Sequence, residues 1–448
     1  MIAKNNEVKN NFNNLPLIAA LLLLISGVFL FGWLKFENIA ANNETMLASL
    51  ANTAKADILG KPNIILIISD DHGWPFYGFM NHPFIKTPNI DKLANEGIAF
   101  VNGAATAPLC RPSLQSLLTG LYQKDIKKSG PAINLLESKL LPQYLNEAGY
   151  ATLQTGKWWE GNPVKNNIFT EGRDGMSLTA RREIGRQTMD PIYDFIKKYH
   201  LDPPQEEKKP FFVWYAPVMP HMPYTPPKEY SDLYSSQGIQ SKYYGMITWF
   251  DSTIGGTAGF NGFNYPKGLI DFLEENNLRN NTLIVFMSDN GIGLPHSKAH
   301  FTENGMRTPI ILNFPGVIPA TGINNSLVSS IDILPTILEY AGIPIPDLPE
   351  AMSIKTLAES GGGAPWRKYI FGNWYEDGSR SVRTQQYKLY DKKAGLKETR
   401  LFDLLEDPQE NHNLIISPAG RKTYQDLMDG YMAVLNEWWY NKINPPLE

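Results

Sequence analysis

The chain predicts an α/β fold, with a mostly parallel central sheet between helices and a small antiparallel sheet at the C-terminal end. Three observations carry that expectation. Asn63–Ser69 (NIILIIS) is an unbroken apolar run, as expected of a strand covered on both faces. Strand-like and helix-like stretches alternate from there to residue 340, which implies parallel strands joined by helical crossovers. After the break at Gly361-Gly362-Gly363, the texture changes to short strand-like runs separated by turn residues.

Taken in order, Thr87-Pro88 opens a helix that ends at Gly97, because proline suits a first turn and glycine follows a helix end. Further strands are expected at residues 150–155, Phe211–Ala216, Thr282–Ser288 and Ile310–Asn313. Helices are expected at 112–121, 140–148, 178–200 with a kink at Pro191, and 331–340. The C-terminal sheet is expected from runs at 366–374, 381–390 and 400–404, and a last helix near 423–439. The corresponding domain plan is 1–36 for a signal or anchor segment, 37–61 for a linker, 62–360 for the main domain and 361–448 for an α+β subdomain.

Composition excludes several function classes. With 448 residues, 43% hydrophobic and 19% charged, the chain is globular, not disordered or fibrous. Lys plus Arg number 41 against 45 for Asp plus Glu, a net charge of -4, so no basic excess supports nucleic-acid binding. Residues 15–34 carry no charge and are long enough to span a bilayer, with Lys4 and Lys9 before them. The Ala-x-Ala pattern at Ala54–Ala56 comes about twenty residues late for a signal peptidase site, which favours an uncleaved anchor over a cleaved signal. Either way the body is expected to be exported, periplasmic or extracellular. Its single cysteine, Cys110, permits no intrachain disulfide.

Ligands of open parallel sheets bind beyond the carboxyl ends of the strands. Four such ends carry polar clusters here: Asp70-Asp71-His72-Gly73, Gly156-Lys157-Trp158, Pro220-His221-Met222-Pro223 and Asp289-Asn290-Gly291. Each alone reads as an ordinary loop or cap. Together, Asp70, Asp71, Asp289 and Asn290 offer only oxygen ligands, the preference of Ca²⁺ or, less well, Mg²⁺, and three converging carboxylates need a cation. Cys110 precedes Pro112 at a predicted helix entry, where unpaired amides favour a thiolate or a bound oxyanion. The residues alone therefore point to metal-assisted hydrolysis of an anionic ester. Trp158, Trp159 and Trp214 lie near these clusters in sequence and suit either sugar stacking or the core.

The ordered set PNIILIISDDHG, TPNIDKLANEGIAFVNGAA, LCRPSLQSLLTG, TGKWWEG, PHMP and SDNG resembles the type I sulfatases of the alkaline phosphatase superfamily. Lys298 with Glu303, Asn304, Gly305, Arg307 and Pro309, and the closing LFDLLEDPQENHNL, extend the resemblance over nearly all of the chain after the linker. It implies an alkaline-phosphatase-like fold and oxidation of Cys110 to formylglycine by a formylglycine-generating enzyme. It further implies that the aldehyde hydrate, on a calcium ion held by Asp70, Asp71, Asp289 and Asn290, attacks the sulfur of a sulfated small molecule or glycan. His221 is implied to protonate the leaving alcohol, and Lys157 and Lys298 to neutralise the transferring group. Two positions depart from the family pattern: Leu114 stands where that pattern has arginine, and Trp159 where it has histidine. Arg111 is the neighbouring alternative cation, and His72, His296 and His300 are the alternative histidines. A phosphodiester or phosphonate ester hydrolase and a non-catalytic binder of sulfated glycans stay open as other readings.

Overall fold

A computed structural model describes residues 60–441, apart from 127, 130–131, 134, 173–177, 257–266, 294–296, 375–377 and 393–398. The described residues from 61 onward form one compact unit. The apolar segment 15–34 and nearly all of the linker lie outside the described residues, as does His296. Among the described residues, no helix is long and apolar enough to cross a membrane.

The central sheet has eight strands: β1 Asn63–Ser69, β2 Ile98–Phe100, β3 Ala151–Gly156, β4 Glu171–Gly172, β5 Phe211–Ala216, β6 Thr282–Ser288, β7 Ile310–Asn313 and β8 Gly322–Asn324. Their spatial order is β8-β2-β7-β6-β1-β5-β3-β4. Every pairing is parallel except the two made by β7, which runs against both β6 and β2. The predicted mostly parallel sheet is therefore present. The short β2, β4 and β8 escape sequence reading because two or three residues show no periodicity.

Strand β1 explains the layers. Ile64, Leu66 and Ile68 face one core, with helices α2 Cys110–Thr119, α3 Leu141–Glu147 and α8 Ile333–Tyr340. Ile65 and Ile67 face the other, with α1 Pro88–Asn95, α5 Asp190–Ile196, α6 Ser241–Gly255 and α7 Leu269–Glu275. A strand buried on both faces has no polar side to alternate with, hence the continuous run of apolar residues.

Three expected elements differ. The helix expected over 178–200 breaks into α4 Leu178–Glu183 and α5, then ends in a wide turn at Lys197–Leu201. Gly185, at φ +78°, turns the chain, and Pro191 sits in the first turn of α5, so proline begins a helix here instead of kinking one. The run 381–390 is two strands, Ser379–Arg383 and Tyr387–Lys392, because Thr384 Oγ1 accepts from the amides of Gln386 and Tyr387 and folds a tight turn without glycine or proline. Helix α2 begins at Cys110, two residues early, since proline within a first turn forfeits no helical hydrogen bond.

Those two strands join Ile370–Trp374 and Arg400–Asp403 in a four-stranded antiparallel sheet, against which the last helix, α9 Gln425–Asn441, packs. A buried charge cluster ties this sheet to the segment that carries Lys298. Glu303 takes Arg383 Nε at 3.1 Å and Nη2 at 3.0 Å, and Lys388 Nζ at 3.0 Å. Its backbone amide donates to Glu410, which also pairs with Lys388 at 3.3 Å. Burial would raise the Glu303 carboxyl, but Arg383, Lys388 and Arg307 outweigh it and hold the group well below the usual carboxylate range.

Glu303→Gln is expected to destabilise the protein by about 3–5 kcal/mol in urea unfolding, because Arg383 would stay buried without its counter-charge and Lys388 would keep only Glu410. A carboxyl whose folded pKa is depressed contributes stability above its unfolded value and loses it on acidification. The gap between wild type and Glu303→Gln should therefore narrow as the pH falls below about 4.

Candidate active site

The four polar clusters follow four adjacent strands, β6, β1, β5 and β3, and so meet along one edge of the sheet. Asp70 leaves β1 with its amide on Met219 O at 2.8 Å, which joins it to the loop after β5. Asp71 adopts φ +59°, unusual for a residue with a side chain. It is held there by its amide on Asp289 Oδ1 at 3.2 Å and by Tyr243, whose hydroxyl donates to Asp71 O at 3.0 Å. Strain of this kind persists where surrounding bonds over-determine it. Gly156 ends β3 at φ +76°, where a Cβ would come within 1.9 Å of Ala216 O. Only glycine lets the chain pass there, and the next amide, of Lys157, bonds the same carbonyl at 2.7 Å.

One ligand atom each from Asp70, Asp71, Cys110 and Asp289 lie within 4.8 Å of one another. Cys110 Sγ is 3.8 Å from Asp70 Oδ1 and 3.9 Å from Asp71 Oδ1. Lys157 Nζ reaches Asp70 Oδ1 at 2.5 Å and also bonds Asp289 Oδ2. Lys298 Nζ meets Asp71 Oδ1 at 2.6 Å, and Asn290 Nδ2 donates to the same oxygen at 2.8 Å. His221 Nε2 lies 3.5 Å from Asp71 Oδ2, while Nδ1 bonds Met222 O at 2.7 Å. Every site residue expected from the sequence is thus in one place.

The electrostatics follow from burying these charges together. Burial, opposed by Lys157 and reinforced by Asp289 and Asp71, pushes the Asp70 carboxyl up to about 6. Burial works against the Lys157 ammonium, yet Asp289 and Asp70 raise it well above the ordinary lysine range. Burial also opposes Lys298, which the Cys110 site and Asp71 raise. The thiol of Cys110 is itself raised, by burial first and then by Asp289, a shift opposite in direction to the thiolate that a helix entry favours. Buried Asp70 Oδ2 and Asn290 Oδ1 have no hydrogen-bond partner among the described residues. Uncommitted carboxylate and amide oxygens beside three acidic groups fit a hard divalent cation.

The neighbouring residues correct several sequence expectations. Leu114 is 3% exposed and belongs to the core, and Trp159 packs partly buried against that core. The two departures line one small cleft with Arg111, Gln115 and Glu160. Arg111 does not serve as the alternative cation at the cluster: Nε and Nη2 bond the two oxygens of Glu160 at 2.9 and 3.0 Å. His72 is fully buried, stacked on Tyr77 and bonded to Phe76 O at 2.8 Å, and burial pushes it down to about 3. Its Nδ1 is buried without a hydrogen-bond partner among the described residues. His300 is exposed, with Nδ1 on Lys298 O at 3.1 Å. Trp158 and Trp214 are core residues in edge-to-face contact. Trp159 instead has Lys157 Nζ at 5.2 Å and the Arg181 guanidinium at 5.7 Å from its ring centre. Arg181 and Arg186 were not singled out by sequence, because charged residues on a short helix and turn read as solvated surface.

A family model described as Sulfatase matches residues 62–343, and one described as N-sulphoglucosamine sulphohydrolase, C-terminal, matches 295–436. The chain is 26% identical over 433 residues to an ulvan-active sulfatase of Formosa agariphila, covering 84% of this chain and 81% of that protein. It is 27% identical over 478 residues to an arylsulfatase of Clostridium perfringens, covering 84% and 94%. Among solved structures, a protein in complex with its substrate D-glucosamine-2-N,6-O-disulfate shares the fold, with a TM-score of 0.67 and 21% identity over 86% of this chain and 99% of that one.

Calcium is expected to raise the melting temperature and EDTA to lower it, by an amount that grows with free cation. Binding to the native state alone adds about 2.7 kcal/mol at roughly 100 times Kd. Asp289→Asn should abolish the shift in a thermal-melt titration, whereas a shift that survives this substitution would place the cation elsewhere.

Proposed function

The chain belongs to the sulfatase family and is a sulfuric ester hydrolase, and from that premise we propose a formylglycine- and calcium-dependent enzyme acting on a sulfated saccharide. The observation that carries this reading is the convergence of Cys110 Sγ with the oxygens of Asp70, Asp71 and Asp289. A buried thiol with a raised pKa is a poor nucleophile as it stands, but it lies where its oxidised form would adjoin the cation ligands. When present, the formylglycine hydrate supplies the attacking hydroxyl and the cation supplies Lewis acidity and charge neutralisation.

The chain's own residues do the rest. Asp70, Asp71, Asp289 and Asn290 would hold the calcium. Lys157 and Lys298, whose ammonium groups keep their protons, draw the sulfate anion to the carboxylate cluster and neutralise charge that builds on its oxygens. His221 is partly exposed and stands on the outer side of Asp71, a suitable place to give a proton from Nε2 to the departing alcohol. Burial of the acidic cluster keeps bulk water from competing for these charges.

A saccharide is supported by the relatives and by Trp159, whose partly exposed ring adjoins Lys157 and offers a flat face to a sugar. Export before use, with anchoring through residues 15–34, and maturation by a formylglycine-generating enzyme complete the proposal.

Mass spectrometry of the Cys110 peptide from protein made in its native host is expected to show CHO in place of CH₂SH. That preparation should hydrolyse 4-nitrophenyl sulfate far faster than 4-nitrophenyl phosphate or a phenylphosphonate ester, and Cys110→Ala should lose this activity. A preference for the phosphorus esters would make it a phosphonate or phosphodiester hydrolase. An unmodified thiol with no ester turnover would overturn the formylglycine mechanism.

A further inference from the structure

We propose that Arg186 is the positioning residue that holds the His221 loop in register with the cluster, a reading that rests on His221 being the proton donor. The loop after β5 runs through Pro217, Pro220, Pro223, Pro226 and Pro227. Proline has no N–H, so such a loop cannot satisfy its carbonyls by a ladder of its own. Apart from Met219 N on Pro217 O at 2.8 Å and His221 Nδ1 on Met222 O, most of the donors to residues 218–223 come from outside. Asp70 supplies its amide to Met219 O at 2.8 Å. Arg186 supplies most of the others: Nε and Nη2 to Val218 O at 3.1 and 2.7 Å, Nη2 to His221 O at 2.9 Å, and Nη1 to Pro223 O and Thr225 Oγ1, both at 3.4 Å.

The base of this clamp is itself fixed. Arg186 follows Gly185 in the turn between α4 and α5, where Gly185 N bonds Thr188 O at 3.0 Å. A Cβ on Gly185 would meet Tyr215 Oη at 2.8 Å, so the turn lies directly against β5. The His221 ring is set by its own loop, through Nδ1 on Met222 O, and Nε2 then points toward Asp71. Carbonyls on either side of His221, and its own, are therefore gripped by one planar guanidinium. A lysine presents a single ammonium on a flexible stem and cannot reproduce that fork.

The test is a leaving-group series on calcium-loaded, formylglycine-bearing enzyme, from 4-nitrophenyl sulfate through phenyl sulfate to an alkyl sulfate. Proton donation matters most when the leaving alcohol is a poor one. Arg186→Ala and Arg186→Lys are expected to lower kcat/KM for the alkyl sulfate by roughly 100-fold and for 4-nitrophenyl sulfate by less than about threefold, as a misplaced general acid would. Inhibition by inorganic sulfate should be unchanged, since neither variant touches Lys157 or Lys298. A uniform loss across the series, or no loss, would overturn the proposal. His221→Ala measured alongside separates the two ideas. If it steepens the series and the Arg186 variants do not, Arg186 has no such role. If His221→Ala leaves the slope unchanged, the assignment of His221 falls and the proposal with it. Arg186→Gln provides the same reading should the alanine variant fail to fold.

Discussion

Three carboxylates buried within reach of one another dominate this structure. Asp70, Asp71 and Asp289 sit at the ends of adjacent strands, each at most 3% exposed, and their mutual repulsion in a poorly solvated place must be offset. Lys157 and Lys298 offset part of it by direct ion pairs. The oxygens that remain without donors ask for a cation. Much of the surrounding architecture can be read as what holds these like charges together: the left-handed turn at Asp71, the glycine at 156, and the loops bonded to Asp70 and Asp289.

The remaining chemistry is brought to that cluster by segments anchored elsewhere. Cys110 arrives at the start of α2, the loop of which is tied to the Lys298 segment by Ala299 N on Pro108 O at 2.8 Å. The Lys298 segment is locked in turn onto the antiparallel sheet by Glu303, Arg383, Lys388 and Glu410. His221 arrives on a proline-rich loop gripped by Arg186. The last two deliveries use charged groups, buried in ion pairs or aimed at backbone carbonyls, because a loop without a regular ladder needs donors from outside itself.

The replacement of two polar residues by Leu114 and Trp159 makes structural sense as one unit. Both line the same cleft beside α2; Leu114 joins the core and Trp159 covers it. The positive charge near the cysteine then comes from the two lysines, with Arg181 on the ring of Trp159.

Strand identity and the residues that follow each strand were legible in the sequence. A doubly covered strand is an apolar run whatever its neighbours are, and the binding edge of a parallel sheet is the carboxyl end of its strands. From those two facts Asp70, Lys157, His221 and Asp289 could be singled out before any strand was placed. Helix α6, buried on every side from Tyr243 to Gly255, escaped notice because a helix without an exposed polar face shows little period to read. Which strands are neighbours, the reversal of β7, the capture of Arg111 by Glu160, the upward shift of the Cys110 thiol and the grip of Arg186 on the His221 loop were decided by tertiary structure alone. They depend on groups brought together from separate segments, or on how deeply a charge is buried, and no local pattern encodes either.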